Sequence, residues 1–174
     1  MKKIKPTLKN KCKKISLLLT DVDGVLTDGG RYYTETGEIS KKFHVRDGMG
    51  VNILLRNGIK TIIVTKEKSS IVKKWAKDMN IFHVYNNSIK KEVTLDQISK
   101  KLKIPLDKIA YIGDDVNDIE ISKNVGFSAM PNNASIFLKP HVDYVCKSNG
   151  GKGVLREVVD LIILSKFVNN QNLY

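Results

Sequence analysis

Two aspartates that lie one residue apart, Asp21 and Asp23, follow directly after an apolar run and precede Gly24. The run, residues 15–20, has the pattern of a buried strand in a parallel sheet. Carboxylates are costly inside a core, but at the carboxyl end of a central strand they face the crevice in which open α/β sheets bind ligands. Two acids held there can bind a divalent cation and act as nucleophile and as acid/base.

Further chemically capable side chains come at or just after the ends of later apolar runs. They are Thr65, Lys90 or Lys91, and Asp114 with Asp115 and Asp118. Because the carboxyl ends of parallel strands share one edge of a sheet, we expect all these groups to meet in one crevice. Carboxylates for a hard cation, a hydroxyl and an ammonium are the groups that hold a phosphoryl group and offset its developing charge.

The elements that must position these groups alternate between strands and helices. Strands are predicted at about 15–20, 59–64, 82–85, 109–112 and 126–130, and helices at about 69–79, 90–102, 119–123 and 154–166. Another helix is expected to be capped by Asp47 and to end at Asn57-Gly58. This alternation predicts an α/β fold with a parallel sheet. The exception is a β-hairpin pattern over residues 29–45, where a doubly wound fold would have a helix.

Length and charge narrow the class of protein. The 174 residues suit one domain, expected at residues 15–168 between a mobile basic arm at 1–14 and a polar tail at 169–174. The formal net charge of +12 fits a nucleic-acid partner, an anionic small substrate or a lysine-rich surface. A nucleic-acid partner is disfavoured, because the lysines are spread along the chain and aromatic residues, at 7%, are not interleaved with them.

The sequence also argues against export and membrane insertion. No apolar run approaches the length of a membrane span. The basic start followed by apolar residues 15–19 imitates a signal peptide, but the run is too short and stops at Asp21. Cys12 and Cys146 are the only cysteines and lack metal-type spacing, which fits a reducing compartment. We therefore expect a cytoplasmic protein.

Taken in order, the motifs resemble those of the haloacid dehalogenase-like phosphatase superfamily. They are Asp21-Val22-Asp23-Gly24-Val25, Thr65 after a hydrophobic strand, a lysine, and Gly113-Asp114-Asp115-Val116-Asn117-Asp118. The resemblance covers about residues 15–166. It implies a Rossmann-like, three-layer α/β/α sandwich around the parallel sheet.

Three other segments are similar to the capless family of 3-deoxy-D-manno-octulosonate 8-phosphate phosphatases. They are Thr27-Asp28-Gly29, residues 43–50 with the sequence FHVRDGMG, and residues 150–158 with the sequence GGKGVLREV. That family also contains phosphatases for nine-carbon, sialic-acid-type 9-phosphates, and a related domain is fused to some acylneuraminate cytidylyltransferases. The resemblance implies that there is no large cap domain and that the hairpin joins neighbours into a homotetramer, each subunit helping to close the next one's site.

The resemblance also implies catalytic roles. Asp21 would attack phosphorus and become an aspartyl-phosphate. Asp23 would protonate the leaving sugar oxygen and then take a proton from the hydrolytic water. Thr65 and Lys91 would hold the phosphoryl oxygens, and counting from the preceding strand favours Lys91 over Lys90 for this role.

The metal and substrate contacts are implied in the same way. Mg²⁺ would be bound by Asp21, the backbone carbonyl of Asp23 and Asp114, where it offsets the repulsion between an anionic nucleophile and an anionic phosphate. Asp115 would shape the acidic loop, and Asp118 would orient the lysine or cap the next helix. The anionic sugar phosphate would contact Asp23, His44, Val45, Arg46, Asp47, Gly48, Glu67 and Lys91.

One loop departs from the family pattern. Where the family commonly has Thr-Gly-Arg, this chain has Thr65-Lys66-Glu67-Lys68. Glu67 cannot clamp an anionic group as a guanidinium does. The nine-carbon branch, which has Thr-Gly-Glu-Lys, is more similar at this point. The loop therefore favours a nine-carbon substrate, while the eight-carbon substrate also remains open.

Two other functions compete with a phosphatase. A phospho-accepting receiver domain has similar side chains, but its acidic pair follows the first strand and its accepting aspartate follows a central strand. Here the Asp-x-Asp motif ends the first strand, and the adjacent acids Asp114 and Asp115 come late in the chain. A catalytically idle partner domain in an acylneuraminate cytidylyltransferase pathway is the alternative that the altered Thr65 loop keeps open.

Overall fold

A computed structural model describes residues 5–167, in which strands and helices alternate along the chain. The strands are β1 (Leu17–Thr20), β2 (Tyr32–Thr34), β3 (Gly37–Ser40), β4 (Lys60–Val64), β5 (His83–Tyr85), β6 (Ile109–Ile112), β7 (Phe127–Met130) and β8 (Tyr144–Val145). The helices are α1 (Pro6–Lys14), α2 (Val45–Arg56), α3 (Ser70–Asp78), α4 (Lys91–Leu102), α5 (Ile119–Asn124) and α6 (Val154–Lys166). The polar tail expected at residues 169–174 lies outside the described residues.

Six strands form one parallel sheet in the order β5-β4-β1-β6-β7-β8. Strand β1 is central, with β4 on one side and β6 on the other. The three strands that precede the predicted site residues are therefore neighbours, and their carboxyl ends share one edge. The predicted α/β fold with a parallel sheet is confirmed. The two-residue strand β8 was not predicted, because so short a strand has no periodic pattern.

Helices cover both faces of the sheet, so the predicted three-layer sandwich is also confirmed. Along β1, Leu18 packs into the cluster that includes residues of α1, α2, α3 and α6. Leu17 and Leu19 point the other way, into the cluster that includes residues of α4 and α5. The alternation of side chains along a strand accounts for this division, and burial on both faces accounts for the unbroken apolar run.

Strands β2 and β3 form a separate antiparallel pair directly after the loop that follows β1. This is the predicted hairpin. Its side chains are largely exposed, including Tyr32, Tyr33 and Ile39. The described residues contain no cap domain beyond this hairpin.

The expectation that residues 1–14 form a mobile arm is wrong for the part that the structure describes. Residues 6–14 form helix α1, with Pro6 in its first turn, where the missing N–H costs nothing. Leu8 and fully buried Cys12, one helical turn apart, pack into the main core. The helix is otherwise lysine-rich, and two apolar positions are too few to reveal a buried face in the sequence.

Asp47 joins two helices rather than capping its own. The cap of α2 is His44, whose side chain accepts a hydrogen bond from the Arg46 N–H at 3.3 Å. Asp47 lies one turn further on, fully buried, and its Oδ1 accepts a hydrogen bond from the Arg156 N–H at 2.9 Å. Since Gly153 at the start of α6 has no side chain, Asp47 supplies the missing acceptor from α2.

The buried position of Asp47 should make stability depend on pH. Burial raises the pKa of Asp47 from 3.8 to about 6, although hydrogen bonds from backbone N–H groups partly offset this. Between these two values the folded chain holds a proton that the unfolded chain releases, so the free energy of unfolding should fall as the pH rises. This contribution is at most roughly 3 kcal/mol.

Urea denaturation of wild type and Asp47→Asn at several pH values measures this effect. The difference in unfolding free energy between the two proteins should change across the window from about pH 4 to about pH 6. Asp96→Asn, which alters an exposed acid on α4, is the control and should leave the slope unchanged. A constant difference between wild type and Asp47→Asn would contradict the argument.

Candidate active site

Asp21 lies at the carboxyl end of β1 and is held from three directions. Its N–H continues the sheet by donating to the Ile112 carbonyl at 2.9 Å. Its Oδ1 accepts from the Val22 N–H at 2.7 Å, and its Oδ2 accepts from Lys91 Nζ at 2.6 Å. Burial raises the pKa of Asp21 to about 6, and the Lys91 ammonium opposes that rise. The side chain is therefore fixed in orientation and partly shielded from water.

Lys91 provides a buried positive charge at the centre of the site. Its Nζ lies 2.6 Å from Asp21 Oδ2, 2.6 Å from Asp118 Oδ1 and 3.2 Å from the Tyr111 hydroxyl. Burial opposes the charge of this lysine, but the two carboxylates outweigh it and raise the pKa of Lys91. Lys90 precedes helix α4 with an exposed side chain. The geometry thus favours Lys91 over Lys90.

Asp118 organises the loop after β6. Its Oδ1 accepts from Lys91 and from the Tyr111 hydroxyl at 2.7 Å, while its Oδ2 accepts from the N–H groups of Asp114 and Asp115 at 2.8 and 3.3 Å. Asp115 in turn accepts from the Val116 N–H at 2.8 Å. These contacts match the supporting roles inferred for Asp115 and Asp118. The sequence analysis missed Tyr111, which looks like one apolar residue among others in β6.

Asp114 is the one acid of the cluster with Asp21 and Asp118 whose carboxylate accepts no hydrogen bond from residues 5–167. It lies with Asp21 and Asp118 in a group whose nearest carboxylate oxygens are all within 4.8 Å of one another. Burial first, and then the charges of Asp21 and Asp118, raise the pKa of Asp114 to about 8. Three acids against one ammonium leave an excess of negative charge on oxygen ligands, which is the donor set that Mg²⁺ prefers. The residues present therefore fit a divalent cation.

Gly24 makes room for Asp114. Its φ is +83°, and a Cβ built at this position would lie 1.9 Å from Asp114 Oδ2. With any other residue at position 24, the Asp114 carboxylate or the loop would have to shift. The loop is supported from behind by Gly150, where a Cβ would lie 2.0 Å from the Gly24 carbonyl oxygen. This close approach gives a physical reason for the glycine at position 150.

Asp23 is held on the opposite side of the loop by two cations of the hairpin region. Lys41 Nζ lies 2.5 Å from Asp23 Oδ1, and Arg31 Nη2 lies 3.6 Å from Asp23 Oδ2. Arg31 Nη2 also lies 3.3 Å from Glu67 Oε1. The loop after Thr65, which departs from the family pattern, therefore reaches the same cluster of charges. Sequence reasoning missed Lys41 and Arg31, since a lysine pair after a strand and an arginine at a turn are typical of exposed surface.

Thr65 ends β4 beside the site. Its N–H donates to the Tyr85 carbonyl at 2.9 Å, and its Oγ1 accepts from the Glu67 N–H at 3.2 Å. The side chain is buried, so the hydroxyl is held at the end of the strand with its hydrogen free to point toward a ligand.

Two residues of the segment 44–48 pack inside the molecule. Asp47 is fully buried against α6, and Gly48 packs so closely on Met79 that a Cβ would lie 2.2 Å from the sulfur. Both residues therefore take part in packing within the chain. Within residues 5–167, no hydrogen bond or ion pair links this segment to the aspartates of the site. For residues 44–48, substrate contact stays a prediction.

Replacing Gly24 with alanine should weaken cation binding in addition to straining the backbone. Gly58 offers a matched control, because its φ of +75° is similar but nothing lies within 4 Å of an added Cβ. Both alanine variants should lose about 1–2 kcal/mol of stability through backbone strain. Only Gly24→Ala should also lower Mg²⁺ affinity, by about tenfold or more, as measured by calorimetric titration. Equal Mg²⁺ affinities in the two variants would show that the space beside Asp114 is unimportant.

Comparison with known proteins places the chain in a family. Residues 56–158 match the family model described as haloacid dehalogenase-like hydrolase. The chain is 37% identical over 163 residues to 3-deoxy-D-manno-octulosonate 8-phosphate phosphatase KdsC of Salmonella typhimurium, covering 94% of this chain and 87% of the relative. It is 38% identical over 156 residues to KdsC of Escherichia coli strain K12, covering 90% and 83% of the two chains.

A solved structure agrees with these matches. The 3-deoxy-D-manno-octulosonate 8-phosphate phosphatase of Moraxella catarrhalis, crystallised in complex with a magnesium ion, a phosphate ion and a KDO molecule, superposes with a TM-score of 0.91. The two chains are 35% identical, and the match covers 94% of each. The family resemblance of the sequence motifs is thereby confirmed. The chain belongs to the 3-deoxy-D-manno-octulosonate 8-phosphate phosphatase family of haloacid dehalogenase-like hydrolases.

Proposed function

We propose that this protein is a Mg²⁺-dependent phosphatase that hydrolyses the 8-phosphate ester of 3-deoxy-D-manno-octulosonate through an aspartyl-phosphate. The observation that carries the proposal is the placement of buried Asp21 between the Lys91 ammonium and the Asp114 carboxylate. The phosphatases KdsC of Salmonella typhimurium and Escherichia coli, at 37 and 38% identity, support the substrate.

The reaction proceeds in two displacements. In the first, an oxygen of Asp21 attacks phosphorus, the bond between phosphorus and the ester oxygen breaks, and that oxygen takes its electron pair and a proton from Asp23. In the second, Asp23 takes a proton from water, the water oxygen attacks phosphorus, and Asp21 leaves as a carboxylate with release of phosphate. Both steps need Asp21 fixed in line with phosphorus, and its three hydrogen-bonded contacts provide this.

The other residues bind the phosphoryl group and the metal. Thr65 and Lys91 hold phosphoryl oxygens, and Asp21, Asp114 and the Asp23 carbonyl bind Mg²⁺, which supplies positive charge against the incoming phosphate. The oxygens of Asp118 already accept from Lys91, from the Tyr111 hydroxyl and from two N–H groups. We therefore assign Asp118 to the support of the loop rather than to the metal.

We also propose that the protein is a cytoplasmic homotetramer. The exposed tyrosines Tyr32 and Tyr33 and the exposed Ile39 make the hairpin a suitable surface for contact with neighbouring subunits. Cys12 and Cys146 are both free and buried, which suits a reducing compartment. No helix in the described part of the chain has the length and apolar character needed to cross a membrane.

A panel of keto-acid sugar phosphates tests the substrate. We expect kcat/KM for the eight-carbon 8-phosphate to exceed that for nine-carbon 9-phosphates by about tenfold or more. Glu67 stands where the nine-carbon branch has glutamate, so the reverse preference would assign the chain to that branch. If the folded protein with Mg²⁺ released phosphate from none of these compounds and from no aryl phosphate, the idle partner domain would be the correct function.

Replacing the nucleophile should abolish turnover. Asp21→Asn removes the attacking carboxylate while keeping a side chain of the same shape, and we expect kcat to fall by about 10³-fold or more. Phosphate release from the same sugar phosphate measures the effect, with Asp96→Asn on α4 as the control. Substantial activity in Asp21→Asn would remove Asp21 from the proposed role.

A further inference from the structure

We propose that Lys41 is the positioning residue that aims the Asp23 carboxyl at the leaving oxygen. This inference rests on the proposed function of Asp23 as proton donor. Lys41 lies just after strand β3, 18 residues beyond Asp23 in the chain. It therefore couples the hairpin to the catalytic loop.

Lys41 connects the catalytic loop to the hairpin through two carboxylates. Its Nζ donates a hydrogen bond to Asp23 Oδ1 at 2.5 Å. It also lies 2.9 Å from Glu38 Oε1, as an ion pair without hydrogen-bond alignment. Glu38 is in turn within 3.5 Å of the Ser69 hydroxyl before α3. The ammonium is thus fixed between the loop after β1 and the rest of the hairpin.

Burial makes this arrangement unusual for a lysine. The Lys41 side chain is 1% exposed, whereas the neighbouring Lys42 is exposed. An ammonium without carboxylate partners would not be retained in such a position, because its desolvation is too costly. With Asp23 and Glu38 both present, the charge is compensated, and one oxygen of Asp23 is committed to Lys41. The other oxygen has a fixed direction in which to meet a ligand.

Arg31 does not duplicate this role. Its nearest nitrogen is 3.6 Å from Asp23, and its side chain is one third exposed and shared with Glu67. Such an exposed pair contributes little to orientation. In the described part of the chain, Lys41 is therefore the close, buried contact of the Asp23 side chain.

If Lys41 positions Asp23, the extent to which loss of Lys41 slows the reaction should depend on the leaving group. A sugar alkoxide is a poor leaving group and needs the Asp23 proton as the ester bond breaks, whereas 2,4-dinitrophenolate leaves without protonation. Loss of Lys41 should therefore slow phosphoryl transfer from the sugar phosphate to Asp21 and leave transfer from 2,4-dinitrophenyl phosphate little changed. This first displacement is reported by kcat/KM, whereas kcat also contains the second displacement, in which Asp23 is the base with either substrate. A purely structural role would slow both reactions together.

The experiment measures kcat/KM with both substrates for wild type, Lys41→Met, Lys41→Arg and Asp23→Asn. The sugar phosphate is the eight-carbon or nine-carbon ester that the wild type hydrolyses faster. In Lys41→Met the ratio of kcat/KM for the sugar ester to kcat/KM for the aryl ester should fall by about tenfold or more, and Lys41→Arg should restore part of it. Because both rates come from one sample, the ratio does not depend on the fraction of protein that is folded. Lys42→Met, which replaces the exposed lysine next to Lys41, is the matched control.

The outcomes separate this inference from the proposed function. A lower ratio in Asp23→Asn with an unchanged ratio in Lys41→Met would overturn the role of Lys41 alone. An unchanged ratio in Asp23→Asn would overturn the role of Asp23 as proton donor and the inference with it. A lower ratio in both variants, with Lys42→Met unchanged, is the expected result.

Discussion

The whole site depends on a cluster of carboxylates whose negative charge is partly compensated by one buried ammonium group. Asp21, Asp114 and Asp118 bring carboxylate oxygens within 4.8 Å of one another, and Lys91 contacts two of these three acids. The fold achieves this by placing β1 beside β6, so that the loops that follow them meet. The helix that begins with Lys91 then brings in the ammonium. A divalent cation supplies the positive charge that balances the remaining carboxylate. The charge of the site is therefore neutralised by the fold and the cofactor together.

Glycines decide whether the carboxylates can approach so closely. Gly24 leaves the space that Asp114 occupies, and Gly113 does the same for Asp118, since a Cβ at residue 113 would lie 2.4 Å from Asp118 Oδ2. Gly150 allows a distant loop to support Gly24 from below. The motif glycines therefore act through the absence of a side chain, at positions where the backbone itself forms the wall of the site.

The sequence was sufficient to predict the framework and insufficient to predict the contacts within it. The long apolar runs and the acids that end them predicted the parallel sheet and the meeting of Asp21 with Asp114. Helix α1 escaped notice because only Leu8 and Cys12 mark its buried face. The partnership of Asp47 with Arg156 spans 109 residues, and no local pattern indicates which helix a buried acid will cap. Lys41 and Arg31 were missed for the same reason: ion pairs are set by tertiary distance rather than by spacing in the chain.

Helix α6 has a bearing on how the protein is made. Helices α1 and α2, from the first third of the chain, both pack against this last helix, and Asp47 reaches its first turn. During synthesis, the amino-terminal segments emerge from the ribosome long before the helix that covers them exists. The main core cannot close until helix α6 has been synthesised, so the nascent chain must carry exposed apolar surface until then.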